Sequence, residues 1–246
     1  MKYDVQEVSQ GGGGCMFPGR WIGGAALVLG PMLLMAGVLL RVKFHFFFPN
    51  QLEAVRTHPV LMTVSYSFFS TGTVLMWPAV IMLVGLIQIK QRGWALWGGV
   101  FAVCGLFART FHAGVDHLAF QLVRHQGLEP AVKAVADSYG AFHIFSSLNL
   151  AILLGWIVLA IGAYRAGTLN LFGAAALALM SGLPLGVLKG TTLFSIAAAA
   201  GACIALVPLG IRVLRDGPMP NRRTALGWIA GVLAAGGAFF AIGQLG

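Results

Sequence analysis

Three ionisable side chains lie within eight positions of one another inside a long apolar run, and a fourth begins the next run. They are Arg109, His112, Asp116 and His143. His112 and Asp116 are four positions apart, so a helix places them on one face, and Arg109 precedes them by about one turn. Because ionisable groups are costly inside apolar segments, they usually face a cavity or a partner. We therefore predict that these residues form a polar pocket.

The residue types in this pocket suit hydrolysis by a bound metal. His112, Asp116 and His143 supply two imidazoles and one carboxylate, a sufficient ligand set for a catalytic zinc with an open fourth position. Zinc lowers the pKa of its bound water to about 7 and would supply hydroxide beside a lipid ester or amide. Arg109 or Tyr66 would stabilise a developing oxyanion. The expected cofactor is then a divalent metal such as zinc.

The same residues permit a mechanism without a metal. Asp116 would donate a proton, and His112 or His143 would accept one, as in an isomerase or a cyclase. A structural interpretation also stands, in which the cluster only holds helices together by hydrogen bonds. In a third interpretation, His112 and His143 are the two axial ligands of a b-haem. The leading prediction is an enzyme acting on a lipid-like or prenyl-like substrate.

The composition identifies the surroundings of this pocket. Of the 246 residues, 58% are hydrophobic and only 9% are charged, whereas soluble domains carry about 25% charged residues. The net charge of +9 is spread singly or in small groups between apolar runs, which is typical of membrane-flanking charges and argues against a nucleic-acid partner. Cys15, Cys104 and Cys203 lack the spacing of a redox or zinc motif. We predict an integral membrane protein.

Seven apolar runs approach or exceed the roughly 20 residues that a spanning helix needs. They cover about residues 21–41, 60–88, 94–119, 141–164, 169–188, 191–214 and 224–245. Only a few residues after Pro184 separate the fifth run from the sixth, so six spans are the alternative. Lipid requires every backbone group to be paired internally, which predicts an all-α polytopic bundle. Residues 1–20 are expected to form a flexible cytoplasmic tail and residues 21–246 a single transmembrane domain.

The basic residues in the connections predict the orientation. Nine lie on one side: Lys2, Arg20, Lys90, Arg92, Arg165, Arg212, Arg215, Arg222 and Arg223. Six lie on the other: Arg41, Lys43, Arg56, Arg124, Lys133 and Lys189. Because the more basic side is usually cytoplasmic, the N-terminus is expected on the cytoplasmic side of the cell membrane and the C-terminus on the outer side. The pocket would then open at the outer leaflet.

Two further features of the sequence bear on how the pocket is enclosed. Polar residues of the second and fourth runs, among them Tyr66, Ser70, Thr73 and Ser146, fall at the same predicted end as Asp116. The loops around residues 41–59 and 124–139, the second with a predicted short helix at 130–137, lie at that end and are expected to cover the pocket. Both loops are rich in residues suited to the interface.

A transporter or an immunity-type binding protein is the alternative function. Pro31, Pro78, Pro184 and Pro208 interrupt predicted spans, as transporters often require. In the last run, small residues at Gly227 and Gly231 let helices approach closely, which favours packing within the chain and also permits a homo-oligomer. None of these patterns identifies a known family.

Overall fold

The computed structural model describes residues 17–138, 144–216 and 221–244. These ranges contain helices and no strand, so the predicted all-α fold is confirmed. The helices are α1 (Arg20–Leu40), α2 (Phe48–Thr57), α3 (Pro59–Gln88), α4 (Arg92–Gln126), α5 (Leu128–Ser138), α6 (Ile144–Ser147), α7 (Asn149–Ala166), α8 (Leu171–Ala178), α9 (Leu193–Arg215) and α10 (Arg222–Gly243). A 3-10 turn, Leu179–Gly182, follows α8.

Six helical stretches of the described chain are long and apolar enough to cross a membrane. They are α1, α3, α4, the stretch Ile144–Ala166 that joins α6 and α7, α9 and α10, with mean hydropathies from 1.3 to 2.3. The chain is therefore a multi-pass membrane protein. The count of seven spans, the orientation of the termini and the location in the cell membrane stay predictions.

The fifth predicted span, 169–188, differs from a continuous helix. Its helical part, Leu171–Gly182, rises about 18 Å, which is short of a hydrocarbon core of about 30 Å. Pro184 follows, and proline lacks the N–H that a continuing helix would need. Gly186 has a φ of 120°, a conformation that favours glycine. We call the non-helical residues 183–192 the broken segment.

Glycines set the closest helix contacts of the bundle. Gly23 of α1 lies against Met82 of α3, and Gly37 lies against Phe69, so the two helices are antiparallel. A Cβ at Gly37 would lie 2.7 Å from the Phe69 main-chain nitrogen, so only glycine allows this approach. Small residues at helix contacts are the usual means of tight packing in lipid.

The helices α4 and α7 pack in the same way. Gly98 of α4 lies against Leu159 of α7, and Gly105 lies against Ile152, so this pair is also antiparallel. Between the two pairs, α3 and α4 are joined by residues 89–91 and pack side by side, with the rings of Trp77 and Phe107 4.7 Å apart. The helices α1, α3, α4 and α7 therefore alternate in direction.

The broken segment returns the chain along the bundle. α9 begins near the end of α1, where Thr191 Oγ1 donates a 2.7 Å hydrogen bond to Val38 O. It runs toward the start of α1, where Gly210 lies against Gly24. Consequently α7 and α9 point the same way although they are consecutive long helices. The residues between them, α8 and the broken segment, must run in the opposite direction.

Two short helices cover the end of the bundle where α1 ends. Phe48, Leu52 and Val55 of α2 and Ala131 of α5 belong to one buried apolar cluster, together with residues of α3, α4 and the broken segment. α5 begins directly after Gly127, whose φ is 92°. It covers Leu128–Ser138, so the short helix predicted at 130–137 is confirmed. Both predicted covering loops are in place at this end.

The last helix, α10, belongs to a compact unit separate from the helices above. The Asn221 side chain caps its start, with Oδ1 accepting a 2.8 Å hydrogen bond from Thr224 N. Such a cap satisfies one of the amides that a helix start leaves unpaired. The packing or oligomer face expected at Gly227 and Gly231 stays a prediction.

Candidate functional site

Four of the five predicted site residues line one buried cavity of about 30 Å³. Arg109, His112 and Asp116 reach it from α4 and Tyr66 reaches it from α3, and each is at most 8% exposed. The structure thus brings together the residues whose spacing predicted a shared pocket. The fifth, His143, lies outside the described residues.

Asp116 is tied to the broken segment. Its Oδ1 accepts a 2.6 Å hydrogen bond from the main-chain nitrogen of Leu188. Leu188 has a φ of 51°, a left-handed conformation that costs a residue other than glycine about 1–2 kcal/mol. Its side chain is fully buried, so packing and the bond to Asp116 together hold this strained backbone. The carboxylate therefore fixes one wall of the cavity.

Arg109 holds the same segment at a second point. Its Nη1 donates to Pro184 O at 3.3 Å and its Nη2 donates to Leu183 O at 3.4 Å. Carbonyls at the end of a helix lack an intrahelical partner. The carbonyls of Leu183 and Pro184 come directly after the 3-10 turn and are in this situation. Arg109 therefore binds backbone carbonyls of the broken segment.

Arg41 is a cavity residue that the sequence analysis missed. It follows α1 directly and is only 4% exposed. Its Cζ lies 4.5 Å from the ring centroid of Tyr66 and 4.6 Å from that of Phe69, distances suited to cation–π contacts. In the sequence, Arg41 looks like any basic residue that flanks a span, and only the fold turns it inward.

Tyr66 connects the cavity to its cover. The Tyr66 hydroxyl donates a 3.2 Å hydrogen bond to Oε1 of Gln51 in α2. Gln51 is fully buried and donates through Nε2 to the carbonyl oxygen of His45. Nearby, the main-chain nitrogen of Gly190 donates a 2.9 Å hydrogen bond to Phe46 O. The loop before α2, α2 itself and the broken segment are thus joined over the cavity.

A larger cleft of about 260 Å³ adjoins the cavity between α3 and α4, and we call it the side cleft. The two spaces share the lining residues Tyr66, Ser70, Ala113 and Asp116. Exposed residues line its mouth: Thr63, Ser67, His117 and Arg124. Its volume is slightly below the 300–1,000 Å³ usual for small-molecule sites. The cleft and the cavity are therefore direct neighbours at their four shared residues.

Several polar residues near the predicted pocket have other roles. Ser65 Oγ donates to Gly37 O at 2.7 Å, and Thr73 Oγ1 donates to Phe69 O at 3.0 Å. Both hydroxyls are therefore hydrogen-bonded to main-chain carbonyls of helices. His45, His58 and His125 are exposed. Of the polar stripe predicted on the second span, Tyr66 and Ser70 face the cavity and Thr73 does not.

The described residues hold no group of three His, Cys, Asp or Glu side chains placed to bind a metal ion. The predicted zinc set includes His143, which is not described, so the metal stays a prediction. The cavity wall also carries Arg41, Arg109 and Lys189. Because like charges repel strongly where water is scarce, this wall disfavours a divalent cation beside Asp116.

The chain was compared with known protein families, curated proteins and solved structures. No family model, curated protein or solved structure matches the chain. The site itself combines a carboxyl group, an imidazole and a phenol with basic side chains in a covered space. Such a set can transfer protons and can bind an anionic group.

Proposed function

We propose that the chain is an integral membrane enzyme that moves protons on a lipid-like or prenyl-like substrate, in an isomerisation or a cyclisation, without a metal. The observation that carries the proposal is the burial of His112 and Asp116 on the wall of one cavity, one helical turn apart. Titratable groups this deep in an apolar bundle are costly and mark functional sites more often than not. The adjoining side cleft offers space for an apolar body.

Four residues of the cavity have roles in this proposal. Asp116 donates a proton to one substrate carbon, and His112 accepts a proton from another, so that a double bond moves or a ring closes. The substrate keeps its composition, and the pair is restored when His112 releases its proton to water and Asp116 takes one proton from water. Arg109 and Tyr66 position the walls through their bonds to the broken segment and to Gln51.

The same proposal places the site at the outer leaflet of the cell membrane. The basic residues of the connections favour a cytoplasmic N-terminus, and α1 then carries Arg41 outward. We propose further that α8 and the broken segment form a seventh, discontinuous crossing. Non-helical backbone is tolerated at membrane depth where protein or a cavity surrounds it, and the bonds to Arg109 and Asp116 meet that condition.

The test uses purified protein in dodecyl maltoside with a polar-lipid extract and a panel of prenyl alcohols and prenyl phosphates. We expect the wild type to convert one component of the panel into a product of unchanged mass. Chromatography and mass spectrometry measure this conversion. His112→Asn should lower the rate about 100-fold or more, because general acid–base groups contribute about that much. The matched control is the exposed His125→Asn, which should keep the wild-type rate.

Chelation separates this mechanism from hydrolysis by a metal. Two cleavage products whose masses sum to that of the substrate plus one water molecule, and whose formation stops after treatment with 1,10-phenanthroline, would overturn the metal-free proposal in favour of a zinc hydrolase. An unchanged rate after chelation supports proton transfer.

A transporter is the second candidate, and the broken segment is the observation that favours it. Discontinuous helices often form the substrate sites of transporters, and here the break lies beside Arg109 and Asp116. Uptake of a panel member into proteoliposomes that survives both His112→Asn and Asp116→Asn would favour transport. Loss of turnover in both variants without any uptake would favour the enzyme.

A further inference from the structure

Two arginines of the cavity contact the same aromatic ring. The Cζ atom of Arg41 lies 4.6 Å from the ring centroid of Phe69, and that of Arg109 lies 5.7 Å from it. Arg41 comes from the end of α1 and Arg109 from the middle of α4, so two distant parts of the sequence bring positive charge to one place. Both side chains are buried, at 4% and 6% exposure.

Neither arginine has a carboxylate within ion-pair distance among the described residues. Arg109 donates to two carbonyls, which are neutral. Among the described residues, Asp116 is the only acidic one in the cavity lining, and its Oδ1 accepts from Leu188 N. The half-buried Lys189 lines the same space. The cavity therefore carries more positive than negative charge.

Arg41 also has donors to spare. Its Nε and Nη1 are buried, and neither has a hydrogen-bond partner among the residues that the structure describes. Buried guanidinium donors without acceptors are unfavourable, because their lost hydration is not replaced. The planar guanidinium fork of N–H donors fits two oxygens of a phosphate or a carboxylate at once.

The volumes of the two spaces suggest how such an anion would arrive. A water molecule needs roughly 10–15 Å³ of space of this kind, so the cavity of about 30 Å³ accommodates a small anionic group and little more. The side cleft of about 260 Å³ lies next to it between α3 and α4 and shares four of its lining residues. A head group in the cavity would thus leave its chain in the cleft.

We propose that Arg41, together with Arg109, forms an anion subsite that binds the phosphate-type head group of an amphipathic ligand, whose apolar chain occupies the side cleft. The inference rests on the proposed function and names the substrate class of that site, an amphiphile with one compact anionic group. The anion adds negative charge beside Arg41 and Arg109 and accepts from unpaired N–H donors of Arg41. Arg41 binds the ligand in this arrangement and takes no part in the proton transfer.

The experiment measures binding without turnover, by microscale thermophoresis of the purified protein in dodecyl maltoside, a detergent with no charge and no phosphate. The probes are farnesyl phosphate, farnesol and inorganic phosphate. We expect the wild type to bind farnesyl phosphate about 10- to 100-fold more tightly than farnesol, the range of one or two charge-assisted hydrogen bonds. Inorganic phosphate should bind more weakly than farnesyl phosphate because it lacks the chain.

Variants locate the effect. Arg41→Gln should reduce the affinity for farnesyl phosphate to that for farnesol, and the control Lys43→Gln, an exposed cation two positions away, should not. If Arg41→Gln does not fold, Arg41→Lys replaces it, a variant that keeps the charge but loses the fork of donors. Its affinity for farnesyl phosphate should lie between the wild-type affinities for farnesyl phosphate and for farnesol. A full wild-type affinity in the Arg41 variant that folds would overturn the assignment.

The comparison of probes on the wild type decides the proposal whatever the variants do. Equal affinities for farnesyl phosphate and farnesol would overturn the anion subsite. Equal affinities for farnesyl phosphate and inorganic phosphate would overturn the amphipathic ligand in favour of a free anion. Tight farnesyl phosphate binding without any product in the turnover assay would refute the enzyme and keep the subsite, and turnover without preferential binding would do the reverse.

Discussion

The main-chain nitrogen of Leu188 donates a 2.6 Å hydrogen bond to Oδ1 of Asp116, and this bond joins a strained, non-helical stretch to the helix that carries the candidate catalytic pair. Leu188 lies in the broken segment, whose carbonyls at Leu183 and Pro184 also accept from Arg109. The wall of the cavity is therefore built from backbone groups that a continuous helix would have used internally.

Removing this acceptor should destabilise the protein. Asp116→Ala leaves the buried Leu188 N–H without a partner, which costs about 1–3 kcal/mol, whereas Asp116→Asn keeps an oxygen at the site. We expect a lower Tm for the alanine variant than for the asparagine variant in detergent. Asp137→Ala, at an exposed position of α5, is the control and should unfold with the wild type. Identical Tm values for the two Asp116 variants would show that the bond contributes nothing.

Arg109 should control the order of the broken segment. Arg109→Lys keeps a positive charge but cannot reach two carbonyls with a rigid fork. We expect faster hydrogen–deuterium exchange in peptides that cover residues 183–192, with little change in α1. Arg124→Lys, whose wild-type side chain donates to Thr63 at the mouth of the side cleft, is the matched control. Unchanged exchange in the segment would mean that other contacts hold it.

Two glycines of α4 should respond oppositely to alanine. A Cβ at Gly105 would overlap Ile152 of α7, while one at Gly114 would meet no atom within 4 Å among the described residues. Gly105→Ala should therefore destabilise the bundle by about 1–3 kcal/mol through overpacking. Gly114→Ala should be neutral or stabilising by up to about 1 kcal/mol, because alanine is the better helix former. Thermal unfolding of both variants tests the packing of α4 on α7, and a tolerated Gly105→Ala would contradict it.

The proposed topology predicts a pattern of surface labelling. In a background with Cys15, Cys104 and Cys203 replaced by serine, single cysteines at Thr57 and Leu193 should react with a membrane-impermeant thiol reagent on intact cells. Cysteines at Lys90 and Thr168 should react only after lysis.

The pair at positions 168 and 193 decides whether the broken segment crosses the membrane. If the chain instead returned to the side it entered from, both positions would label alike. Labelling of position 90 and not of position 57 would reverse the predicted orientation.

The sequence was sufficient for the framework and for part of the cavity. Long apolar runs can satisfy their backbones in lipid only as helices, so the all-α bundle followed from composition. His112 and Asp116 share a face at any helical spacing of four, and their inward direction followed from the cost of exposing them to lipid. Here both residues are buried and line the same cavity.

The remainder of the site depends on groups that a sequence does not distinguish. The broken segment contributes carbonyls and an amide, which every residue has, and only Pro184 and the nearby glycines signalled that a helix would end there. Arg41 has the same local pattern as any charge that flanks a span. Its contact with Phe69, 28 positions away, exists only because Gly37 allows α1 to approach α3 so closely.

Solvent deuterium gives the most direct test of proton transfer at His112 and Asp116. The wild-type protein is incubated in D2O with the lipid and prenyl panel, and carbon-bound deuterium in the products is counted by mass spectrometry. The proposal predicts one deuterium per turnover in the wild type and in His125→Asn, and a loss of about 100-fold or more in His112→Asn and in Asp116→Asn. Products that carry no solvent deuterium, or the same deuterium content and rate in the His112 variant, would contradict it.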